Sequence, residues 1–374
     1  MATHYANGKT TTSGLVFMYD TVDKENCYKG EPTTNLVPNA DIMSSWTTYY
    51  RTLALSTFTT EFGTTGYRFV NQPSWNGIYR SFNLVNTGLY TFSAWFRYNG
   101  GSVDNNGATV YISNYGGGDT AAGLDKSKIG VWQRVTFTVN VTSPSNVLFL
   151  LISYGGVDSG TPVPDFSSWE VTMPQIELNS HATPFVNGTR SSTQGLLDLT
   201  NRNTINLSNV SFDANAQITF DGTNDYVDCG NLSISAGKIT VNAWVKLDAF
   251  TSPASHIVDS ALNGWHLSVL SNGIPYFWNG ITYHTTGTPL ILNTWYMLTG
   301  VQSTTLDIYV NGVLANSIAS DVNVTSNNVW IGAWQSGTRP FNGKILNTQI
   351  YNRALNASEI LQNYNATKSR FNLA

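Results

Sequence analysis

Carboxylates come first in a search for chemistry, because glycoside hydrolysis needs two of them about 5–10 Å apart across the scissile bond. On a β-strand every second residue lies on the same face, so such a pair typically reads Glu-x-Asp along one strand. No glutamate of this chain has Asp two positions later: Glu25, Glu31, Glu61, Glu170, Glu177 and Glu359. The sequence therefore predicts that the protein is not an enzyme of this kind.

The histidines offer no recognisable metal or catalytic spacing. They are His4, His181, His256, His266 and His284, and no HExxH motif is present. His256 and His266 could converge across a hairpin, although the sequence favours ordinary surface residues. Neither a GxSxG nucleophile elbow nor a phosphate-binding glycine loop is found.

One polar cluster could hold calcium, which binds carboxylate, amide and carbonyl oxygens. It lies in FDGTNDYVDCG (220–230), where Asp221, Asn224 and Asp225 are the candidate ligands and Asp228 follows. The same residue types also build tight turns. We favour the turn, and no other cofactor is predicted.

Aromatic side chains are the better indication of a binding site, because sugar rings stack on aromatic faces while polar groups bond their hydroxyls. Trp278 and Trp334 are the clearest cases, since glycine-containing loop sequences follow both. The candidate contacts are Trp75, Tyr79, Trp265, Trp278, Tyr283 and Trp334, within a wider set that includes Trp46, Tyr49, Tyr50 and Trp330.

Strands must position these side chains. In KITVNAWVKL (238–247) apolar residues alternate with a second set, as in a strand with one buried face. Asn272-Gly273 and Asn311-Gly312 separate apolar runs and indicate hairpins of type I′. Only LNASEILQNY (355–364) predicts a helix, with Asn356 and Glu359 spaced as a capping box. The predicted fold class is all-β, with one short C-terminal helix.

Two pairs of segments echo each other. LYTFSAWFRY (89–98) is similar to KITVNAWVKL, and VWQRVTFTV (131–139) is similar to TWYMLTGVQ (294–302). The echo predicts two β-sandwiches of similar design. Their tryptophans are expected to serve packing: Trp95, Trp132, Trp244 and Trp295.

The bulk composition excludes several classes of protein. Charged residues make up 11% of the chain and the net charge is -4, which argues against nucleic-acid binding. No apolar run is long enough for a membrane span, and no signal peptide is visible. Cys27 and Cys229 are expected to be free thiols in a protein made in a reducing cytoplasm.

Residues 211–367 resemble the concanavalin A-like lectin/laminin-G-like family. The resemblance rests on FDGTNDYVDCG, ITVNAWVKL, NTWYMLTGVQ, LDIYVNGVL, WIGAW and, above all, FNGKILNTQIYNRALNASEILQNY. It implies a β-sandwich that often binds carbohydrate and sometimes calcium.

Residues 33–190 resemble a carbohydrate-binding-module jelly roll. TTNLVPNADIMSSW at its start and PQIELNSHATPFVNGTR at its end carry the resemblance. Because it implies that the first and last strands meet, Asn39, Asp41 and Glu177 are a second, weaker set of calcium candidates.

The stretch SGLVFMYDTVDKENCYKG (13–30) resembles the first strand of the lectin-like domain in tailed-phage virion proteins, and GLLDLTNRNTINLSN (195–209) resembles the element that should follow it. We therefore predict that one jelly roll is inserted in the other. The predicted parts are an arm at 1–12, a sandwich at 13–32 plus 192–370, and an inserted module at 33–191. The alternative is two sandwiches in tandem behind an extended N-terminal arm.

These resemblances favour a non-enzymatic structural protein of a tailed phage, as a capsid decoration, head fibre or tail component. It would be made in the host cytoplasm and displayed on the virion surface. Its partners would be other virion proteins and host-surface polysaccharide, with neither nucleic acid nor membrane, and a homotrimer is left open. The alternatives are a bacterial surface or secreted adhesin and, less favoured, a glycoside hydrolase.

Overall fold

The structure is a computed structural model. It describes residues 4–5, 8–24, 26–43, 45–49, 56–72, 77–100, 108–113, 120–153, 167–213, 215–232, 234, 237–260, 264–320, 328–335 and 337–373. The fold is nearly all β, as predicted, with one α-helix among the described residues.

The chain divides into two compact units. Unit 1 is formed by residues 1–32 together with 191–374, and unit 2 by residues 33–190.

The strands are numbered along the whole chain. Before unit 2 they are β1 (His4–Tyr5), β2 (Gly8–Lys9) and β3 (Leu15–Asp20). Those of unit 2 are β4 (Thr33–Thr34), β5 (Thr47–Tyr49), β6 (Ser56–Thr59), β7 (Thr65–Gln72), β8 (Gly77–Leu84), β9 (Gly88–Tyr98), β10 (Ala108–Ser113), β11 (Thr120–Gly123), β12 (Trp132–Val141), β13 (Ser145–Ser153), β14 (Ser167–Leu178) and β15 (Thr189–Arg190).

The rest of unit 1 contains fourteen further strands and the helix. They are β16 (Asn206–Ser208), β17 (Ser211–Phe212), β18 (Ile218–Asp221), β19 (Tyr226–Asn231), β20 (Ile239–Ala249), β21 (Ala254–Asp259), β22 (His266–Leu270), β23 (Pro275–Trp278), β24 (Tyr283–Thr285), β25 (Tyr296–Gln302), β26 (Thr305–Val310), β27 (Val313–Ala319), β28 (Asn328–Ile331), β29 (Asn342–Tyr351) and α1 (Ala357–Thr367), with a 3-10 turn at Lys368–Phe371.

Unit 2 contains two five-stranded sheets, β11-β10-β13-β8-β5 and β12-β9-β14-β7-β6. Alternate residues of both sheets, such as Phe92, Phe149 and Trp169, form one buried core. The ends of the unit meet because β4 pairs antiparallel with β15, so that Thr33 lies opposite Arg190.

Unit 1 is a sandwich of a seven-stranded sheet, β16-β19-β28-β21-β22-β23-β24, and an eight-stranded sheet, β17-β18-β29-β20-β25-β26-β27, in which β3 also pairs with β29. Side chains of both sheets share one core. The segment predicted as a displaced first strand therefore lies in this sheet, with Tyr19 opposite Thr348.

The two pieces of unit 1 also meet where unit 2 interrupts the chain. The amide of Lys29 donates to the carbonyl of Gly195 at 2.9 Å, and the amide of Leu197 donates to the carbonyl of Cys27 at 2.9 Å. Cys27 and Cys229 are free and buried, in agreement with the prediction of two free thiols.

The two Asn-Gly hairpins differ. Asn311 and Gly312 both have positive φ, 52° and 79°, as the predicted type I′ turn requires. At the other hairpin Gly273 has φ 85° but Asn272 is not in the left-handed region, and the amide of Leu270 bonds the carbonyl of Ile274 at 3.0 Å. The hairpin prediction is correct there, but the turn type is wrong.

Helix α1 begins with the predicted capping box. The amide of Glu359 donates to Asn356 Oδ1 and the amide of Asn356 donates to Glu359 Oε2, both at 3.0 Å. Within the described part of the chain, no helix has the length and apolar character needed to cross a membrane.

Of the four tryptophans that the sequence assigned to packing, only Trp244 is fully buried. Trp95, Trp132 and Trp295 are partly exposed. The assignment to packing is therefore correct for Trp244, whereas the other three tryptophans keep part of their surface exposed to solvent.

Candidate functional site

A row of directly opposed residues crosses six strands of the seven-stranded sheet in unit 1. We call it the aromatic row, and its members are Asp228, Trp330, Asp259, His266, Trp278 and Tyr283. Neighbouring strands lie about 4.8 Å apart, so the row extends for roughly 24 Å.

Strand alternation turns this row away from the core. On β22 Leu267 and Val269 point into the core, as does Phe277 on β23. Their neighbours His266, Ser268 and Trp278 therefore share the opposite face. A single face of the sheet thus collects rings and polar groups.

The exposed end of the row is formed by Trp278 and Tyr283, which are cross-strand partners in the β23–β24 hairpin. Their ring centroids lie 6.5 Å apart with an interplanar angle of 28°. Tyr283 is 54% exposed and Trp278 is half-buried. The pair therefore presents aromatic surface to solvent.

A buried asparagine fixes the turn between these two rings. Asn279 Oδ1 accepts hydrogen bonds from the amides of Ile281 and Thr282 at 3.2 and 3.0 Å. Its Nδ2 donates to Gln302 Oε1 and to Ser320 Oγ at 2.9 and 2.8 Å. Because these bonds anchor the turn to the strands beneath it, both rings are held in place before any ligand arrives.

Trp334 lies beside the row on the loop between β28 and β29. The amide of Trp334 donates to the carbonyl of Thr338 at 2.6 Å, and the Thr338 amide donates back at 3.0 Å. The guanidinium of Arg339 lies 4.5 Å from the Trp334 ring centroid, a cation–π contact. The loop thus adds a third half-buried indole and a positive charge.

Beneath the exposed rings lies a polar cluster that we call the His-Asp-His cluster, formed by His256, Asp259 and His266. Nδ1 of His256 donates to Asp259 Oδ2 at 3.1 Å, and Nδ1 of His266 lies 3.5 Å from the same oxygen. The imidazole of His266 in turn lies nearly parallel to Trp278, with centroids 6.0 Å apart at 14°.

Both imidazoles of this cluster are neutral at pH 7. Burial, and secondarily the charge of Arg339, lowers the pKa of His256 to about 3. Burial also lowers the pKa of His266 well below its ordinary value, with the neighbouring His256 and Arg339 adding to the effect. The expectation that both are surface residues is wrong, because the side chains of His256 and His266 are only 0% and 14% exposed.

The pairing of β22 with β21 places His266 opposite Asp259. The amide of Ser260 donates to the carbonyl of Trp265 at 2.9 Å. A Cβ at Gly264 would lie 1.5 Å from the carbonyl oxygen of Ser260, so only glycine fits there.

The predicted aromatic contacts separate into three groups. Trp278, Tyr283 and Trp334 come together on one face, as described above. Trp265 is fully buried in the core of unit 1, so its ring cannot receive a ligand and that candidate is wrong. Tyr79 lies on β8 of unit 2, half-buried between β13 and β5, and Trp75 falls outside the described residues.

The wider aromatic set is also divided. Trp330 belongs to the aromatic row, whereas Trp46 is buried against Phe149 in the core of unit 2. The side chains of Tyr49 and Tyr50 are not among those described.

The calcium candidates of unit 1 serve a turn, the interpretation that the sequence favoured. The amide of Asp221 donates to Asp225 Oδ2 and that of Thr223 donates to Asp221 Oδ1, both at 2.7 Å. Burial, and secondarily the charge of Asp221, raises the pKa of Asp225 to about 6. Asn224 is exposed at the surface of the same turn.

The second calcium set is contradicted by the surroundings of Glu177. Its Oε1 accepts from the Thr183 amide at 2.9 Å and from Gln175 Nε2 at 2.8 Å. Its Oε2 accepts from the hydroxyls of Thr183 and Thr33 at 2.8 and 3.1 Å. Internal donors occupy both oxygens, so Glu177 is structural.

Sequence reasoning missed Asp259, Arg339 and Tyr276. Tyr276 lies on the same face as His266, edge-on to its ring at 5.3 Å. Polar residues alternate with apolar ones in HLSVL (266–270), and this pattern could have indicated the outward face. Nothing in the sequence marks Arg339, which depends on the geometry of its loop.

Residues 221–361, all within unit 1, match a family model described as the concanavalin A-like lectin/glucanases superfamily. This segment therefore resembles that family, and the β-sandwich of unit 1 agrees with a concanavalin A-like fold. A search of curated proteins found no match.

Several solved structures are similar to part of the chain. One is the binding domain of botulinum neurotoxin DC in complex with rat synaptotagmin II, at 17% identity and a TM-score of 0.38, covering 47% of this chain and 50% of that one. Another is domain 4 of AbnA, a GH43 extracellular arabinanase from Geobacillus stearothermophilus, in complex with arabinotriose, at 17% identity and a TM-score of 0.38, covering 46% and 93%. The chain spans about half the length of the first of these structures.

Proposed function

We propose that this protein binds carbohydrate, without cleaving it, on the outer face of the seven-stranded sheet of unit 1. The observation that carries the proposal is the aromatic row, which ends in the solvent-facing rings of Trp278 and Tyr283. The match of residues 221–361 to a lectin/glucanase family supports it.

The chemistry of the face suits a sugar. The C–H surface of a pyranose ring stacks on aromatic faces, and Trp278 and Tyr283 offer two of them side by side. Asp228, at the far end of the row, and Arg339, beside Trp334, can bond hydroxyl groups. Since Tyr283 is 54% exposed and Trp278 is only half-buried, we expect a single site to bind weakly.

Weak single sites become useful through many copies. We propose that the chain is displayed repeatedly on a tailed-phage particle, as a capsid decoration, head fibre or tail component, and that its glycan is a host-surface polysaccharide. Multivalency then raises the apparent affinity without new contacts. The resemblance of residues 13–30 to a strand of phage virion proteins supports this setting, and a bacterial adhesin is the alternative.

The binding proposal is tested with the full chain on envelope polysaccharides of candidate hosts, immobilised at high density. Trp278→Ala and Tyr283→Ala should each weaken binding, because each removes stacking area worth roughly 1–2 kcal/mol, or about tenfold. Phe62→Ala in unit 2 is the matched control, since Phe62 is also an exposed aromatic residue, 44% accessible.

Near-UV circular dichroism must show that each variant is folded. If the wild type bound none of these glycans at any density, or if Phe62→Ala alone abolished binding, the proposed site would be wrong. The virion setting has a separate test: mass spectrometry of purified particles of the encoding phage should detect the chain in many copies.

A further inference from the structure

We propose that the His-Asp-His cluster of unit 1 is a binding site for a divalent first-row transition-metal ion, of which Zn²⁺ is the representative. This inference is independent of glycan binding. It rests on the geometry and chemistry of three side chains, of which the sequence suggested only that His256 and His266 could converge.

Two of the three distances between the ligand atoms fit a small tetrahedral ion. His256, Asp259 and His266 can each offer one ligand atom, and all three atoms lie within 4.8 Å of one another. With bonds of about 2.0–2.1 Å, two ligands of a tetrahedral zinc ion lie roughly 3.3–3.4 Å apart. The two Nδ1 atoms lie 3.1 and 3.5 Å from Asp259 Oδ2, on either side of that value.

The ligand set favours zinc over the hard cations. Two imidazoles and one carboxylate suit Zn²⁺, Ni²⁺ or Cu²⁺, whereas calcium and magnesium prefer oxygen ligands. Three protein ligands leave a fourth position for water. His266 is the most accessible of the three, so an ion would enter past its ring.

The surroundings of the two imidazoles also suit a metal ion. Both imidazoles lie against one carboxylate oxygen of Asp259 in a buried part of unit 1. Among the described atoms Nε2 of His256 is buried without a hydrogen-bond partner. Moving the ring proton from Nδ1 to Nε2 therefore breaks no bond at Nε2, and Nδ1 becomes free to ligate.

The positive charge of Arg339 opposes the binding of a metal ion. The guanidinium of Arg339 lies 4.5 Å from the ring centroid of Trp334, and that ring lies 6.3 Å from the ring of His256, so the positive charge is close to the cluster and repels a dication. The backbone carbonyl of Arg339, by contrast, accepts from the His256 amide at 3.2 Å and would be kept in a side-chain variant. Arg339→Gln should therefore bind zinc more tightly than the wild type, by several-fold.

The test uses the full chain stripped with a chelator, titrated with ZnCl₂ in a calorimeter, with Co²⁺ absorption as a second readout of tetrahedral coordination. The wild type should bind one equivalent. Asp259→Asn keeps the size of the side chain and an acceptor for His256 but removes the anionic ligand, and His266→Gln alters the most accessible ligand. Each should weaken zinc binding at least tenfold.

His284→Gln and His181→Gln are the matched controls, since they remove histidines outside the cluster, and they should bind zinc like the wild type. The proposal is overturned if the wild type binds no zinc, or if Asp259→Asn and His266→Gln both bind it as tightly as the controls. The zinc titration needs no glycan, so a failure of glycan binding would leave its result unaffected.

Discussion

The strand pair β9–β12 of unit 2 and the pair β20–β25 of unit 1 have similar sequences and the same pairing register. They differ in the residues that cover their outer faces. Gln133 lies opposite Phe96 in unit 2, and Tyr296 lies opposite Val245 at the corresponding place in unit 1. Each pair even repeats a cation–π contact: Arg97 lies 4.7 Å from the Trp132 ring centroid, and Lys246 lies 5.9 Å from that of Trp295.

The difference lies in what covers the outer face. In unit 1 the ring of Trp244 stacks on Phe371 with centroids 4.0 Å apart, and its Nε1 donates to Thr367 Oγ1 at 2.8 Å. In unit 2 the corresponding Trp95 contacts Phe62 at 5.5 Å, and Phe62 is itself exposed. Similar strands therefore give a buried tryptophan where the C-terminal segment packs and an open aromatic surface where it does not.

The charged contacts of the two strand pairs also differ. In unit 2 Glu170 lies opposite Arg97, and its carboxylate bonds Nε of Arg97 and Nε of Arg68 at 2.6 and 2.7 Å. In unit 1 the corresponding contact places Lys246 opposite Lys344. The open face of unit 2 is thus held by the ion pairs of Glu170, whereas the covered face of unit 1 combines stacked rings with the Arg370–Asp20 ion pair.

The largest expected effect is that of Trp244→Ala. Removing a fully buried indole should cost about 3–5 kcal/mol of the free energy of unfolding of unit 1. Urea denaturation followed by far-UV circular dichroism, with the two units fitted separately, measures it. A loss below about 1 kcal/mol would show that the C-terminal segment does not bury this ring in solution.

Glu170→Gln should have the next largest effect, on unit 2. Burial opposes the charge of Glu170, but the bonds from Arg97 and Arg68 outweigh it and hold the pKa below its ordinary value. A depressed carboxylate pKa stabilises the folded state above the unfolded pKa, near 4.5, and that contribution is lost as the pH falls through the folded pKa.

At pH 7 this substitution should therefore cost roughly 1.5–3 kcal/mol. The gap between variant and wild type should close toward pH 3. Glu61→Gln is the control, because its carboxylate is half-exposed and pairs with Arg97 at 3.3 Å. A gap independent of pH would contradict the ion-pair explanation.

Trp95→Ala should cost only about 1 kcal/mol, because its ring is already partly exposed. The comparison with Trp244→Ala is direct, since the two residues occupy matching positions in similar strands. Equal losses in the two variants would remove the distinction between a covered and an open face.

The smallest effect is expected from deleting residues 33–190 and joining Pro32 to Ser191. Unit 1 should stay folded, because Lys29 and Gly195 are already bonded on its side of the junction. Calorimetry should find the unit 1 transition within a few degrees of its position in the full chain. An unfolded product would show that unit 2 is not a separable insertion.

Local rules predicted the parts of this fold that depend on neighbours in sequence. The capping box at Asn356 and the turn at Asn311-Gly312 each involve residues close in sequence, and the types of those residues are enough to predict the local structure. The packing role of Trp244 was also predicted. Its burial depends on residues 364–371, however, and the sequence of the strand gives no information about that contact.

The candidate site shows more clearly what strand alternation cannot predict. His256 and Asp259 are three residues apart, so regular alternation places them on opposite faces of a strand. A bulge between His256 and Val258 adds one residue and returns both side chains to the same face. Because the bulge is not readable from the sequence, neither the His-Asp-His cluster nor the continuous aromatic row could be predicted.

The pairing of β3 with β29 has a consequence for the order of folding during synthesis. The hydroxyl of Tyr19 donates to the carbonyl of Ile345, 326 positions later. At about 5–20 residues per second, a ribosome needs roughly 15–65 s to make the chain between them. Unit 2 is complete long before that, so we expect it to fold first, while β3 waits unpaired for the strand that closes its sheet.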